Sequence, residues 1–199
     1  RPLGKMYKFR DMLMFLPYDG FTIWKYNIKC EEWIMDRYTL AVSAKKIKNL
    51  SYGMLDYNAV YARDCMWIIT GCSNSLLRYE PYTNDYKIFN ILNEDYNFNV
   101  IGEDSDNIWL ADFCKNELIK IPFEENEIDV NNIARIKINT AIINNSWKNM
   151  TGMKREFKTF VMVSDYIVLI PAFSDTIIRV NKYTYAQEVI NKDFLSESA

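Results

Sequence analysis

The sequence of 199 residues contains no histidine, and this absence removes the usual catalytic arrangements. Serine and cysteine nucleophiles are normally activated by a histidine base, so neither a Ser-His-Asp nor a Cys-His site can form here. Glycine is also scarce, with only 6 residues, and neither GxGxxG nor another phosphate-binding loop occurs. We therefore expect no cofactor and no catalytic residues of these classes.

Cysteine is equally sparse, and its spacing excludes the common zinc motifs. The 4 cysteines include no CxxC pair, and there is no histidine to complete a ligand set. Reduced thiols without a disulfide framework are typical of a cytoplasmic protein. We therefore expect no bound metal, and we expect a cytoplasmic location.

Long apolar runs and an excess of one charge are absent as well. No apolar run approaches the roughly 20 residues that cross a bilayer, and no basic segment followed by an apolar stretch opens the chain as a secretion signal does. The net charge is −2, and the longest basic cluster, Lys45 to Lys48, is short. The sequence predicts neither a membrane span nor a nucleic-acid partner.

What the chain does contain is an internal repeat. Four segments align without gaps for about twenty residues; in each, an aspartate is followed 14 residues later by a cation that two apolar residues precede. The aspartates are Asp11, Asp64, Asp106 and Asp165, and the cations are Lys25, Arg78, Lys120 and Arg179. The spacing between aspartates varies while the core of the segment does not, which is typical of repeated units with insertions in their loops.

Each unit is predicted to contain four strands, a to d, with the aspartate in the a-to-b turn. Strand b is a continuous apolar run, such as Met66 to Ile69, which indicates that both of its faces are covered. The aromatic content of 15% also favours strands. We therefore predict an all-β protein, a β-propeller with four four-stranded antiparallel blades visible in one domain, 1–199. The approximate blades are 4–38, 57–92, 98–140 and 157–192. Residues 133–143 could supply either a displaced strand d or an extra element.

The segment from Met12 to Trp33 resembles a kelch repeat, with an apolar strand, a loop, a second strand, a turn containing tyrosine and acid, and a tryptophan. The segment from Trp67 to Ile88 is similar, with Tyr86 in place of the tryptophan. The double glycine of that family is replaced in all four units. The resemblance implies a β-propeller and transfers no individual site residue.

The repeated aspartates have a functional and a structural interpretation. A ring of carboxylates could bind a cation or a basic partner. A short polar residue in a tight turn could instead accept backbone N–H bonds. We favour the second and predict four structural ion pairs between strands. They are Asp11 with Lys25, Asp64 with Arg78, Asp106 with Lys120, and Asp165 with Arg179.

The b-to-c connections supply the candidate ligand site, because loops at one edge of a propeller commonly carry function. The candidates are Tyr18, Asp19, Phe21, Cys72, Asp112, Phe113, Lys115, Phe173 and Asp175. Cys72 and Cys114 share one position in neighbouring units, but adjacent blades diverge outwards, so we expect no bridge between them. Trp67 and Trp109 also share a position, and we expect both to pack between blades.

These features favour a non-catalytic binding module that holds a protein or carbohydrate partner on its loops. The alternative is a glycosidase or lyase acting on polysaccharide through carboxylates near the central channel. Glu103 and Asp104 form the one acidic cluster that such an enzyme could use. Propellers commonly have about 4 to 8 blades, so four blades could close alone, could be part of a longer protein, or could share a ring with a second chain.

Overall fold

The computed structural model describes most of the chain, and its regular structure is almost entirely β-strand. The described residues are 4–17, 21–37, 40, 57–70, 74–92, 96–142, 157–172 and 176–190. One short 3-10 helix spans Thr140–Ile142. Within these ranges no helix combines the length and the apolar character that a bilayer crossing requires.

The strands form four antiparallel sheets, which we call blades 1 to 4 in chain order. Blade 1 contains β1 (Met6–Phe9), β2 (Met12–Phe15), β3 (Ile23–Asn27) and β4 (Glu32–Asp36). Blade 2 contains β5 (Tyr57–Ala62), β6 (Cys65–Thr70), β7 (Ser75–Tyr79) and β8 (Tyr86–Asn90). Blade 3 contains β9 (Val100–Glu103), β10 (Asn107–Asp112), β11 (Glu117–Glu124), β12 (Glu127–Ile128) and β13 (Ala134–Lys137). Blade 4 contains β14 (Phe157–Val163), β15 (Tyr166–Pro171), β16 (Ile177–Asn181) and β17 (Gln187–Ile190).

Neighbouring strands in each sheet follow chain order, so the predicted all-β fold of repeated four-stranded units is confirmed. In blade 3 the fourth strand is split into two pieces. β12 pairs with the end of β11 at Phe123 and Glu124, and β13 pairs with its beginning, from Glu117 to Lys120. The segment that the sequence left ambiguous is therefore the second half of a displaced strand d.

The apolar runs of strand b are covered on both faces, as their composition predicts. Met66 and Ile68 pack in an apolar cluster between blades 1 and 2, whereas Trp67 and Ile69 pack in a second cluster between blades 2 and 3. A third cluster, which includes Trp109, fills the junction between blades 3 and 4. Since Trp67 and Trp109 are both 0% exposed, these two residues are packing elements between blades.

The repeat aspartates lie in the a-to-b turns, and their main-chain carbonyls tie strand c to these turns. The carbonyls of Asp11, Asp106 and Asp165 accept N–H bonds at 2.7, 2.8 and 2.9 Å. The donors are Ile28, Phe123 and Lys182, each three residues after the repeat cation. In blade 2 the equivalent residue is Pro81, which has no N–H to donate.

The four predicted ion pairs within blades are wrong, because the strand register separates the partners. Lys25 lies opposite Met14, and Asp11 lies beyond the end of that strand. The observed pairs are Lys29–Asp11 at 2.6 Å, Arg10–Asp64 at 2.6 Å, Arg63–Asp106 at 3.9 Å and Arg179–Glu188 at 2.6 Å. Two of the aspartates thus bind an arginine from the a-to-b turn of the preceding blade.

The repeat cations of strand c instead reach the next blade. Lys25 Nζ, in blade 1, donates to the Pro81 carbonyl of blade 2 at 2.7 Å. Lys120 Nζ, in blade 3, donates to the Lys182 carbonyl of blade 4 at 3.4 Å. Pro81 and Lys182 occupy the same position in their c-to-d turns, so both contacts are instances of one repeated junction.

Blade 2 departs from this rule because blade 3 has a different turn. There the equivalent residue, Phe123, lies within β11 and pairs with Ile128 across a two-residue hairpin. The cation of blade 2, Arg78, has a buried Nε without a hydrogen-bond partner. In blade 3 a tight hairpin therefore stands in place of the c-to-d turn whose carbonyl accepts from the cation in blades 2 and 4.

Candidate functional site

The predicted ligand residues lie on the b-to-c connections, at the edge of the blades that we call the b–c rim. Five of them, Tyr18, Asp19, Cys72, Phe173 and Asp175, fall outside the described residues. The structure places the remaining four, and it gives them different roles.

Of the two described aromatic candidates, Phe113 is buried and Phe21 is partly exposed. Phe113 is 0% exposed and contacts the Phe157 ring, with 5.7 Å between ring centres. Phe21 packs against the apolar cluster between blades 1 and 2. The prediction of a surface aromatic is therefore corrected for Phe113, which belongs to the core between blades 3 and 4.

Asp112 is a loop-shaping residue, since its side chain is fully buried and both of its oxygens accept backbone bonds. Oδ1 accepts from the amides of Cys114 at 2.9 Å and Lys115 at 3.1 Å. Oδ2 accepts from the amide of Asn97 at 2.9 Å. An aspartate at the start of a turn satisfies the following N–H groups in this way, and it fixes the loop that carries Lys115.

Lys115 belongs to a side-chain cluster in blade 3, which we call the rim cluster and which joins exposed cations to the buried Tyr96 ring. The rim cluster consists of Tyr96, Lys115, Glu117, Arg135 and Lys137. Lys115 Nζ lies 3.7 Å from the centre of the Tyr96 ring, and the Tyr96 hydroxyl donates to Glu117 Oε2 at 2.7 Å. Glu117 also contacts Arg135 at 3.4 Å and Lys137 at 3.6 Å.

The displaced strand β13 brings the rim cluster together. Its register sets Lys137 opposite Glu117 and Arg135 opposite Ile119, so the two cations project from the same face of the sheet. Lys137 Nζ also donates to the Lys115 carbonyl at 2.7 Å, which ties β13 to the b-to-c loop. Sequence analysis missed these cations because their segment could not be assigned, although the alternating pattern Arg-Ile-Lys is a signal for a half-buried strand.

The rim cluster carries three cations and one carboxylate, so its charge is positive. The side chains of Arg135 and Lys137 are 44% and 69% exposed, whereas that of Glu117 is 12% exposed. Burial would raise the pKa of Glu117, but the Tyr96 hydrogen bond and the charges of Arg135 and Lys137 outweigh it and hold that pKa below its usual value. Glu117 thus stays ionised and orients the cations Arg135 and Lys137.

Acid should weaken the native protein partly through Glu117. Because the folded pKa of this group is depressed, its contribution to stability is present above the unfolded pKa of about 4.3 and is lost as pH falls through the folded value. Between pH 5 and pH 3 the wild type should lose on the order of 1 kcal/mol more than Glu117→Gln. Urea unfolding at several pH values measures this difference, and parallel losses in both proteins would contradict it.

The acidic pair Glu103 and Asp104 lies at the opposite end of blade 3, at the a-to-b turn. Burial would raise the pKa of Asp104, but bonds from Trp109 Nε1 at 2.7 Å and from Asn107 hold it below its usual value. Burial and the charge of Asp104 raise the pKa of Glu103. The Asp104 carboxylate is occupied by donors of its own turn.

Cysteines and metal-binding groups add no further site in the described part of the chain. Cys30 and Cys114 are exposed thiols and Cys65 is a buried one, and all three are free. Within the described ranges no group of three or more Cys, Asp or Glu residues is arranged to hold a metal ion. Cys72 lies outside the described residues, so the expectation that no bridge joins it to Cys114 stays a prediction.

No family model matches the sequence, and no curated protein matches it significantly. Solved structures do match. Virginiamycin B lyase from Staphylococcus aureus is 12% identical with a TM-score of 0.62, over 96% of this chain and 55% of that chain. A catalytically inactive histidine-to-alanine variant of that lyase, with Quinupristin, is 11% identical with a TM-score of 0.61, over 95% and 55%. The dihydro-heme d1 dehydrogenase NirN is 11% identical with a TM-score of 0.63, over 94% and 37%.

These proteins are propellers, and each aligns with 94% or more of this chain. The chain has the β-propeller fold. It spans about half the length of the lyases that it matches. The kelch resemblance stays a prediction, because none of these three proteins is described as kelch. At such low identity the likeness concerns the propeller fold alone, and activity is not transferred with it.

Proposed function

We propose that this propeller is a non-catalytic binding module that holds a protein or carbohydrate partner on its b–c rim. The observation that carries the proposal is the rim cluster, where Lys115, Arg135 and Lys137 surround Tyr96 and Glu117. The preferred ligand group is an anion, either a carboxylate of an acidic peptide or a sulfate or carboxylate of a sugar.

The geometry of the rim cluster suits an anion that contacts cations positioned by a buried ring, since Tyr96 itself is only 2% exposed. Arg135 lies 5.5 Å from the centre of the Tyr96 ring and Lys115 lies on the same ring at 3.7 Å, so both cations are held near one surface. A guanidinium binds carboxylate or sulfate through two parallel N–H bonds, whereas an ammonium acts as a point charge. Arg135 is therefore expected to orient the ligand, while the lysines add attraction that salt screens.

A binding role is favoured over catalysis by the chemistry of the remaining groups. The matched lyase is catalytically inactive as a histidine-to-alanine variant, and the present chain has no histidine. The raised pKa of Glu103 is what a general acid requires, and it is the one observation in favour of a polysaccharide-active enzyme. The Asp104 carboxylate, however, already accepts hydrogen bonds from Asn107 and Trp109, so it is poorly suited to serve as the second catalytic carboxylate.

Alanine at Arg135 should weaken binding of an anionic ligand about tenfold, the effect of losing roughly 1.4 kcal/mol from a charge-assisted bond. The probes are a polyglutamate peptide and a sulfated oligosaccharide, each measured by calorimetry at low and physiological salt. Arg10→Ala is the matched control, because Arg10 is an exposed arginine bonded to a carboxylate at the opposite end of the blades. Failure of both probes to bind, or equal losses in the two variants, would contradict the proposal.

A further inference from the structure

The fourth repeat cation lacks the junction that the first and third cations form. Arg179 stands at the position of Lys25 and Lys120, but it bonds Glu188 of its own blade through two nitrogens at 2.6 and 2.8 Å. The Arg179 side chain is 42% exposed. Lys25 of blade 1 is only 2% exposed, because blade 2 packs over it. Arg179 therefore occupies the position from which Lys25 and Lys120 bind the next blade.

The face of blade 4 around Arg179 is apolar and open. In blade 4, Val161 of β14 pairs with Val168 of β15, and Val168 pairs with Arg179 of β16. All three side chains lie on the face that points away from blade 3. Val161 is 46% exposed, and Val163, on the same face, is 51% exposed. In each internal junction the equivalent face is covered by the next blade.

Blade 1 carries a second open face, on the side that points away from blade 2. The rings of Phe15, Trp24 and Tyr26 surround Trp33 at 5.6, 6.3 and 5.0 Å between centres. Trp33 is nevertheless 54% exposed and Met35, on the same face, is 42% exposed. An apolar and aromatic patch of this kind commonly marks a protein interface.

The two open faces are also complementary in charge. At the junction of blades 2 and 3, Lys87 stands beside Arg78 on strand d and bonds Glu127 at the c-to-d hairpin of the next blade. The residue equivalent to Lys87 in blade 4 is the anion Glu188, beside Arg179. The c-to-d turn of blade 1 presents the cation Lys29, which is 76% exposed. An ion pair between Glu188 of blade 4 and Lys29 of blade 1 would be the same kind of contact with the acidic and basic partners exchanged. Such a pair would join blade 4 to blade 1.

We propose that blade 4 of one chain packs against blade 1 of a second copy, and that two copies close head to tail into a ring of eight blades. Arg179 then donates to the Ile28 carbonyl of the second copy, the equivalent of Pro81 and Lys182, and Glu188 pairs with Lys29. Eight blades lie within the range of about 4 to 8 that propellers adopt. The four blades of this chain cover about half of the lyase chains that they match, 55%, which leaves room for a second half.

Sedimentation equilibrium of the 199-residue chain tests the proposal. We expect twice the mass of one chain for the wild type, and the mass of one chain for Trp33→Asp and for Val161→Asp. An equimolar mixture of the two variants should again show dimers, because one junction then joins two unaltered faces. A monomeric wild type, a larger open assembly, or a dimer that persists in either variant would overturn the proposal. Persistence in Val161→Asp, for example, would indicate pairing of two blade 1 faces.

Charge reversal provides a test that does not depend on the apolar substitutions. Glu188→Lys and Lys29→Glu each place like charges at the proposed junction, so each should raise the dissociation constant at least tenfold. The double variant restores opposite charges and should recover most of that loss. Losses that simply add in the double variant would contradict the pairing of these two residues. Circular dichroism of every variant verifies that the blades remain folded.

Discussion

Replacing Trp109 by alanine should lower the free energy of unfolding by about 3–5 kcal/mol, the usual loss when a large buried aromatic is truncated. Trp109 is 0% exposed and packs in the cluster between blades 3 and 4. Its Nε1 also donates to Asp104 Oδ2 at 2.7 Å, which ties the ring to the a-to-b turn. Truncation therefore opens a cavity and removes a donor from a half-buried carboxylate. Urea unfolding followed by circular dichroism measures the loss.

A second variant separates the two contributions of Trp109. Phenylalanine keeps much of the ring but cannot donate to Asp104, so Trp109→Phe should lose about 1–3 kcal/mol. The matched position in blade 2 is Trp67, whose Nε1 donates at 3.1 Å to the main-chain carbonyl of Ala62 and not to a carboxylate. Trp67→Phe should consequently cost less than Trp109→Phe. Equal losses at the two sites would show that the hydrogen bond from Trp109 to the Asp104 carboxylate adds nothing to stability.

The fold could be predicted from the sequence because its evidence is local and repeated. The aspartate, the apolar pair and the cation recur at fixed spacing, and they mark a turn and two strands in each unit. The run Met66 to Ile69 predicted a strand covered on both faces, and alternate residues of that strand do pack into two different junctions. Hydrophobic pattern and turn residues determine such features within about twenty residues of chain.

The side-chain partners could not be predicted in the same way, because most of them belong to another blade. Lys25 and its acceptor Pro81 are 56 residues apart, and Arg10 is 54 residues from Asp64. A pattern within one unit pairs each cation with the nearest aspartate and overlooks the next blade. The rim cluster was missed for a related reason, since it depends on the pairing of the displaced strand β13 with β11.

Methionine at position 25 should lower the free energy of unfolding by about 3 kcal/mol, because a buried cation is removed while its acceptors stay. Lys25 is 2% exposed, and its Nζ donates to the Pro81 carbonyl and to Asn84 Oδ1. The Tyr79 hydroxyl lies 2.8 Å from the same Asn84 oxygen and 3.0 Å from the buried Asp36 carboxylate, and its single proton is shared between these two acceptors. Lys25→Met keeps the length of the side chain, so little of the loss comes from a cavity.

The dependence of this loss on pH distinguishes a buried charge from mere packing. Burial lowers the pKa of Lys25, against the opposing charges of Asp36 and Glu80. The unfolded chain then binds more protons at this site than the native protein does at pH values between the folded pKa and about 10.4, so native stability rises with pH there. The difference between wild type and Lys25→Met should therefore widen as pH increases towards that value. Two results would contradict this account: a difference that stays constant with pH, or a loss no larger than the roughly 0 to 1 kcal/mol typical of exposed ion pairs. Either would mean that Lys25 is solvated and that the junction of blades 1 and 2 is stabilised by its apolar cluster alone.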